Sequence, residues 1–420
     1  MLFPSETVDI LKLDFVFEAG SAYQSQPLCA SSTASLMPAA TSRYNPQQLA
    51  DFLDRRGVLL DTSTDIHCAT LTAYLLPKYA AETFPLLREI LTAPVFPEEE
   101  VASHCRRMRQ RLVNNFQRTS YVAHNLFRHA LYGPVRPEGR FARPEDADAL
   151  SASVLQTHFR EHFRLDQALL SLAGHYDDKT LDLFRSHFGD PAKHYIQPST
   201  LKTLQPSNPQ TLKLSNPPRH IRQNLDTVLD SESPILNSQL STLNSPRPQA
   251  SIRVGCILPF DARHDDYAPF SVLGTVLGGY FGSRLMRNIR EEKGYTYGIY
   301  CRTRLYRSSI CFEVVSDVAS DNVEQTLSEV YGEMERLGRE PLADDELELV
   351  RHYMEGDYMR SIDGVFERAD RWLQLTELGL DEPTFSERLL HAIQHTTAGQ
   401  LQQLARRYLV RDAMTEVVVF

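Results

Sequence analysis

The sequence predicts an α+β protein of two tandem homologous domains, each a mostly antiparallel sheet with helices packed on one face. Three observations lead there. At 420 residues the chain is longer than one hydrophobic core usually grows, about 250 to 300 residues. An internal register repeats: a constant shift of 246 places Phe96–Val101 (FPEEEV) on Leu342–Leu347 (LADDEL), Leu91 on Leu337, Ala123 on Ala369, Gly133 on Gly379, Leu155 on Leu401 and Asp166 on Asp412. One offset held over about 75 residues marks a duplication. Between the copies, residues 196–250 are rich in Pro, Ser, Asn, Leu and Thr, with eight prolines from Pro198 to Pro248, a composition that buries little apolar surface. The expected organisation is a domain at 1–195, a linker at 196–250 and a second domain at 251–420.

The first domain opens on a strand in which Leu11, Leu13, Phe15 and Phe17 alternate with Lys12, Asp14 and Glu18, the pattern of a half-buried strand ending at Gly20. It starts so near Met1 that an edge strand is either missing or supplied elsewhere. Residues 28–42 are small and uncharged and suit a short helix. Asn45 and Pro46 then read as N-cap and first position of a helix with Leu49, Phe52 and Leu53 inward and Gly57 as its stop. Strands are expected at 58–63 and 67–76, helices at 79–91, 97–115, 121–132 and 152–163, and a strand at 168–173. After the linker, Ile252, Val254, Cys256 and Leu258 begin the pattern again.

Composition excludes several classes. A net charge of −10 and a pI near 5.8 argue against a nucleic-acid binder. No run reaches the roughly 18 apolar residues of a membrane span, and the first twenty residues lack the apolar block of a signal peptide, so the expectation is a cytoplasmic protein with no membrane partner. The six cysteines are scattered without a C-x-x-C pair and read as buried thiols.

Leu277–Tyr300 (LGGYFGSRLMRNIREEKGYTYGIY) carries most of the functional signal. Phe281, Leu285 and Ile289 share a helical spacing, Gly294 suits a left-handed stop, and Tyr295, Tyr297 and Ile299 alternate on one side of a following strand. Arg290 then closes a helix and Tyr297 stands in the adjoining strand, so that a guanidinium and a phenol aim at one point. The bland alternative pairs Arg290 with Glu291 or Glu292 and leaves Tyr297 packing. Gly278, Gly279 and Gly282 allow close backbone approach.

This motif, together with the duplication, resembles the second-domain signature of the pitrilysin/insulinase-type zinc peptidases, the inverzincins. The resemblance covers nearly the whole chain and implies two homologous halves of a peptide-enclosing chamber. It implies that Arg290 and Tyr297 hold substrate and assist the oxyanion, and that Gly278, Gly279 and Phe281 contact the peptide. The family's zinc is held in the first domain by H-x-x-E-H and a later Glu. Here the corresponding slot is Ser31-Ser32-Thr33-Ala34-Ser35, and the later helix offers Arg106, Arg107, Arg109, Gln110 and Arg111; no ligand stands in either stretch, and residues 19–66 contain no histidine. A literal H-x-x-E-H does occur at His158, Glu161 and His162, but in the domain's last helix, where the register maps the two histidines onto Leu404 and Tyr408. Its completing carboxylate would have to come from Asp226, Asp230 or Glu232 or from distant structure.

The resemblance therefore implies a non-catalytic subunit with no cofactor of its own. It would supply Arg290 and Tyr297 in trans to a homologous partner that bears the zinc, and the pair would act on an extended peptide substrate. An autonomous metallopeptidase built on His158, Glu161 and His162, and a purely structural assembly subunit, are the alternatives. His67 and His104 have no companions at ligand spacing, His124 and His129 sit five apart on a helix and do not share a face well, and Trp372 reads as core.

Overall fold

Alternation becomes strand and the 3.6-residue spacing becomes helix in the same order twice along the chain. The computed structural model describes residues 1–189, 219–225 and 248–420. Most of the linker expected at 196–250 lies outside the described residues, and so do Asp226, Asp230 and Glu232. The chain forms two compact units: Met1–Leu112, Phe141–Leu201 and Arg360–Gly379 make the first, and Val113–Arg140, Lys202–Met359 and Leu380–Phe420 the second.

The first unit holds a sheet of Leu2–Pro4 (β1), Leu11–Phe17 (β2), Leu59–Thr64 (β3), Ala69–Leu75 (β4) and Leu169–Gly174 (β5), in the order β1-β5-β2-β4-β3. The second holds His220–Gln223 (β6), Gln249–Leu258 (β7), Thr296–Tyr306 (β8), Ser309–Ala319 (β9) and Thr415–Val419 (β10), in the order β6-β10-β7-β9-β8. Position for position the two orders are the same. In each, the first pair is parallel and the other neighbours antiparallel. The edge strand that the sequence left open is β1, paired with β5.

Helices follow the pattern that predicted them. Cys29–Leu36 (α1), Pro46–Arg56 (α2), Ala80–Thr92 (α3), Glu98–Phe116 (α4), Thr119–Tyr132 (α5), Ala152–His162 (α6) and Asp178–Phe188 (α7) come before the linker. Tyr267–Gly274 (α8), Val323–Arg339 (α9), Asp344–Arg360 (α10), Val365–Glu377 (α11), Glu382–His395 (α12) and Ala398–Tyr408 (α13) come after it. At α2 Asn45 and Gln48 form a capping box, Pro46 takes the first turn, and Gly57 at φ 62° ends the helix. The shift of 246 carries α6, at 152–162, onto α13, at 398–408.

The same shift carries α5 onto α11, and these two helices change places. The first unit includes α11, packed on β1 and β5, and the second includes α5, packed on β7 and β10. Each sheet thus carries helices on both faces. This corrects the half-buried reading of β2, which is buried along its whole length. Leu11, Leu13, Phe15 and Phe17 join the core with Phe84, Leu87, Phe184 and Phe188. On the opposite face Val16 packs with Trp372 and Leu373, and Lys12 pairs with Asp370, all from α11.

Candidate functional site

The corner at Leu277–Tyr300 is shaped by close approach of helix to strand. Helix α8 runs into a π-helical turn, Thr275–Gly279, in which a Cβ on Gly278 would stand 2.6 Å from Cys301 Sγ and 2.7 Å from its backbone nitrogen. A residue with a side chain would push this turn off β8. Leu285, Met286 and Ile289 are fully buried, while Phe281 is 59% exposed. The segment is therefore not one α-helix with Phe281 on its inner face: residues 280–283 turn, and Met286–Glu292 is π-helical. Phe281 falls in the turn between the two π-helical stretches, outside the helix that carries the buried stripe. Gly294 at φ 69° makes the expected left-handed stop.

The strand departs from expectation in a similar way. A β-bulge interrupts the β8/β9 pairing between Thr296 and Ile299. Ile299 is completely buried and Tyr297 is 91% exposed, so Tyr295, Tyr297 and Ile299 do not share a side. The extra residue of the bulge reverses the alternation and turns Tyr297 outward.

The Arg290 guanidinium lies over the Phe281 ring, 4.5 Å from its centre. Among the described residues it forms no ion pair with Glu291, Glu292 or any other carboxylate. A cation held on an aromatic face keeps its hydrogen-bond donors for a ligand. Behind it the corner is fastened by groups that sequence reasoning passed over. Arg284 donates to both carboxylate oxygens of Glu346 at 2.8 Å, Asn288 Nδ2 donates to Glu329 at 3.0 Å and Glu333 at 2.7 Å, and Lys293 pairs with Glu329. Glu346 reads from sequence as a first-turn acid of α10 that needs only the helix dipole. Its second partner lies 62 residues away, beyond the reach of local pattern.

In the first unit, Ser31–Ser35 lies on α1. The Ser31 and Thr33 hydroxyls donate to the carbonyls of Leu28 (3.2 Å) and Cys29 (2.8 Å), and Ser32 meets His104 Nε2 of α4 at 3.0 Å in a buried pair. Burial, with Arg107 and Arg111, lowers the His104 pKa. Hydroxyls already bonded, one imidazole and neighbouring guanidiniums are an unsuitable donor set for zinc. His104 thus has a companion after all, a serine brought to it by tertiary packing.

His158 and His162 lie one turn apart on α6, their rings tilted at 46° with centres 4.7 Å from each other. His158 is buried and its Nε2 donates to the Ala19 carbonyl at 3.1 Å. Burial lowers the pKa of both rings. Glu161 lies 3.8 Å from His162 and is largely exposed. Among the described residues, no group of three or more His, Cys, Asp or Glu side chains is placed to hold a metal ion. His124 is half-buried on α5, and His129 Nδ1 donates to the Gly139 carbonyl at 3.1 Å. None of the described helices is long and apolar enough to cross a membrane.

Comparison with known proteins agrees with this architecture. Residues 149–354 match the family described as the peptidase M16 inactive domain. The "Uncharacterized zinc protease YmxG" of Bacillus subtilis is 19% identical over 378 residues, spanning 89% of this chain and 83% of its own. The "Non-peptidase homolog YmxG" of Helicobacter pylori is 22% identical over 299 residues, 70% of this chain and 60% of its own. The crystal structure of a peptidase M16 inactive domain from Pseudomonas fluorescens superposes with a TM-score of 0.79 at 17% identity, covering 100% of this chain and 94% of that one. Over residues 149–354 the chain is thus similar to the peptidase M16 inactive domain, and along its whole length it shares the fold of an M16 inactive-domain structure.

Proposed function

We propose that this peptidase-like protein is the non-catalytic subunit of a heteromeric, zinc-dependent peptidase, working in the cytoplasm beside a homologous partner that bears the zinc. Its contribution is peptide capture at the corner of the second unit. Arg290 offers a planar fork to a peptide carbonyl or carboxylate, and Tyr297 would offer a hydroxyl donor to the developing oxyanion of the substrate carbonyl. Gly278 and Gly279 keep the corner tight, and Phe281 holds the guanidinium in place.

The observation that carries the reading is the state of the pair. Tyr297 stands 91% exposed beside a strand edge, and Arg290 rests on an aromatic ring with no carboxylate partner among the described residues. A structural arginine normally has its charge neutralised and a structural tyrosine its ring covered. The donor set at α1 and α4 complements this: hydroxyls and arginines suit a chain that leaves the metal to another subunit.

The test is turnover of a quenched fluorescent peptide by the chain together with a zinc-bearing M16-type partner. Arg290→Ala and Tyr297→Phe should each lower joint kcat by ~10²-fold, the effect of losing one oxyanion donor, while the complex elutes unchanged. Full activity in both variants reduces the corner to scaffold. Stoichiometric zinc and peptide cleavage by the purified chain alone would overturn the assignment, and loss of that zinc in His158→Ala would move the chemistry to His158, Glu161 and His162.

A further inference from the structure

Strand β8 is the last strand of its sheet, eleven residues long, and no described strand pairs with its outer edge. An open edge of that length presents unpaired N–H and C=O groups to an extended peptide. Beyond the bulge, Ile299, Cys301 and Thr303 face the helices, Cys301 against Gly278 and Thr303 against Gly274. Tyr300, Arg302 and Arg304 therefore point to the opposite face, the one that carries α5 over β7 and β10. Helix α5 leaves the β8 end of that face open: Tyr300, Arg302 and Arg304 are all exposed.

The face is basic on a chain whose net charge is −10. Arg302 stands opposite Glu313 of β9, and Arg304 opposite Cys311. Arg253 of β7 lies on the same face, 7% exposed, its Nη2 donating to the Ser120 carbonyl at 3.2 Å while its Nε has no hydrogen-bond partner. Arg128 of α5 also keeps a buried Nε with no hydrogen-bond partner among the described residues. Among the described residues neither Arg302 nor Arg304 forms an ion pair. His124 reports the crowding: burial first, then Arg128, Arg253, Arg304 and Arg302 drive its pKa down to about 3, so this ring adds no charge at neutral pH. Four guanidiniums thus converge where Glu313 and Asp317 are the acids acting on Arg253. Positive potential left uncompensated at a strand edge favours negative charge on whatever strand is added there.

We propose that the open edge of β8 takes an extended acidic peptide as an added strand, its alternate carboxylates lying against Arg302 and Arg304. This rests on the capture role given to the same corner and names the substrate class. Alternation brings every second side chain of the added strand over the arginine face, so the preferred peptide carries Asp or Glu at a spacing of two. Its intervening residues face the helix side, and its backbone runs past Tyr297 toward Arg290.

Fluorescence anisotropy with three labelled ten-residue peptides tests it: alternating Glu/Thr, Gln/Thr and Lys/Thr, at low and at physiological salt. The Glu peptide should bind at least ~10-fold tighter than the Gln peptide, with the gap narrowing as salt rises. Arg302→Gln/Arg304→Gln, which leaves Arg290 and Tyr297 in place, should abolish that preference, and N-methylation of alternate amides should weaken the Glu peptide in the wild type. Equal binding of the Glu and Gln peptides overturns the proposal. So does full displacement by inorganic phosphate or free glutamate at matched charge, which would mark a simple anion site, or indifference to N-methylation. Capture of all three peptides without preference removes this inference alone, whereas capture of none removes the peptide-binding role as well.

Discussion

Lys12 and Asp14 are 2% and 1% exposed, in a strand whose other residues are apolar core. The Lys12 amine lies 3.4 Å from Asp14 and also pairs with Asp370 of α11, while Thr72 donates to Asp14 at 2.8 Å. Burial opposes both charges; Asp14 and Asp370 outweigh it at Lys12, whose pKa rises, whereas burial prevails at Asp14 and raises it too. A buried ion with its partner removed is far costlier than the pair is stabilising. Lys12→Met is therefore expected to destabilise the protein by about 3–5 kcal/mol, and Lys12→Met/Asp14→Leu to recover most of that loss, read from urea unfolding midpoints. A single variant within ~1 kcal/mol of wild type would show that Asp14 simply protonates. In sequence these two residues look like the solvated side of an alternating strand, because a strand carries no record of what covers it. The same blindness hid the Ser32–His104 pair, whose members are 72 residues apart.

At the scale of elements, most of the chain was legible, since caps and periodicity are local. Asn45, Pro46 and Gly57 bound α2 where the chemistry of a cap puts them, and Gly294 ends its helix with positive φ. What failed was register inside the functional corner: a break in the helix at residues 280–283 takes Phe281 off the buried stripe, and the extra residue of the bulge reverses which strand side chains face out. Phe281 and Tyr297, read as partners of buried neighbours, are exposed as a result. The π-helical turn at Thr275–Gly279 holds Gly278 against Cys301 of β8, and its packing can be tested. Gly278→Ala would place a Cβ 2.7 Å from the Cys301 backbone nitrogen and is expected to lower stability by about 1–3 kcal/mol through forced backbone shift. Gly332→Ala in the middle of α9, where a Cβ meets nothing within 4 Å, is expected to raise it by about 0.5–1 kcal/mol. Thermal unfolding of the two variants in parallel separates a packed glycine from a merely flexible one; equal shifts would mean that the turn can move off β8.

At the scale of the whole molecule, the duplication was readable as an offset of 246, and the equal strand orders of the two sheets bear it out. The offset carried no sign that α5 and α11 are exchanged, because equivalent helices have equivalent apolar faces and pattern does not tell which sheet they meet. Yet the exchange decides how the chain folds. Residues 1–195 alone would leave the β1 and β5 face without Ala369, Trp372 and Leu373, and Lys12 without Asp370. Residues 248–420 alone would leave β7 and β10 without Val122, Ala123 and Phe127 of α5, and Arg253 without the Ser120 carbonyl. Neither segment closes its own core, so each expressed separately is expected to show near-native helix content but no cooperative thermal transition. A stoichiometric mixture refolded together should regain one cooperative transition, followed by near-ultraviolet circular dichroism, because each piece brings the helix that the other's sheet lacks. Independent cooperative unfolding of residues 1–195 would show that α11 only decorates a finished domain. Failure of the mixture to regain structure, with Trp372→Ala in the intact chain costing less than ~1 kcal/mol where loss of a core Trp ordinarily costs about 3–5, would show the same from the other direction.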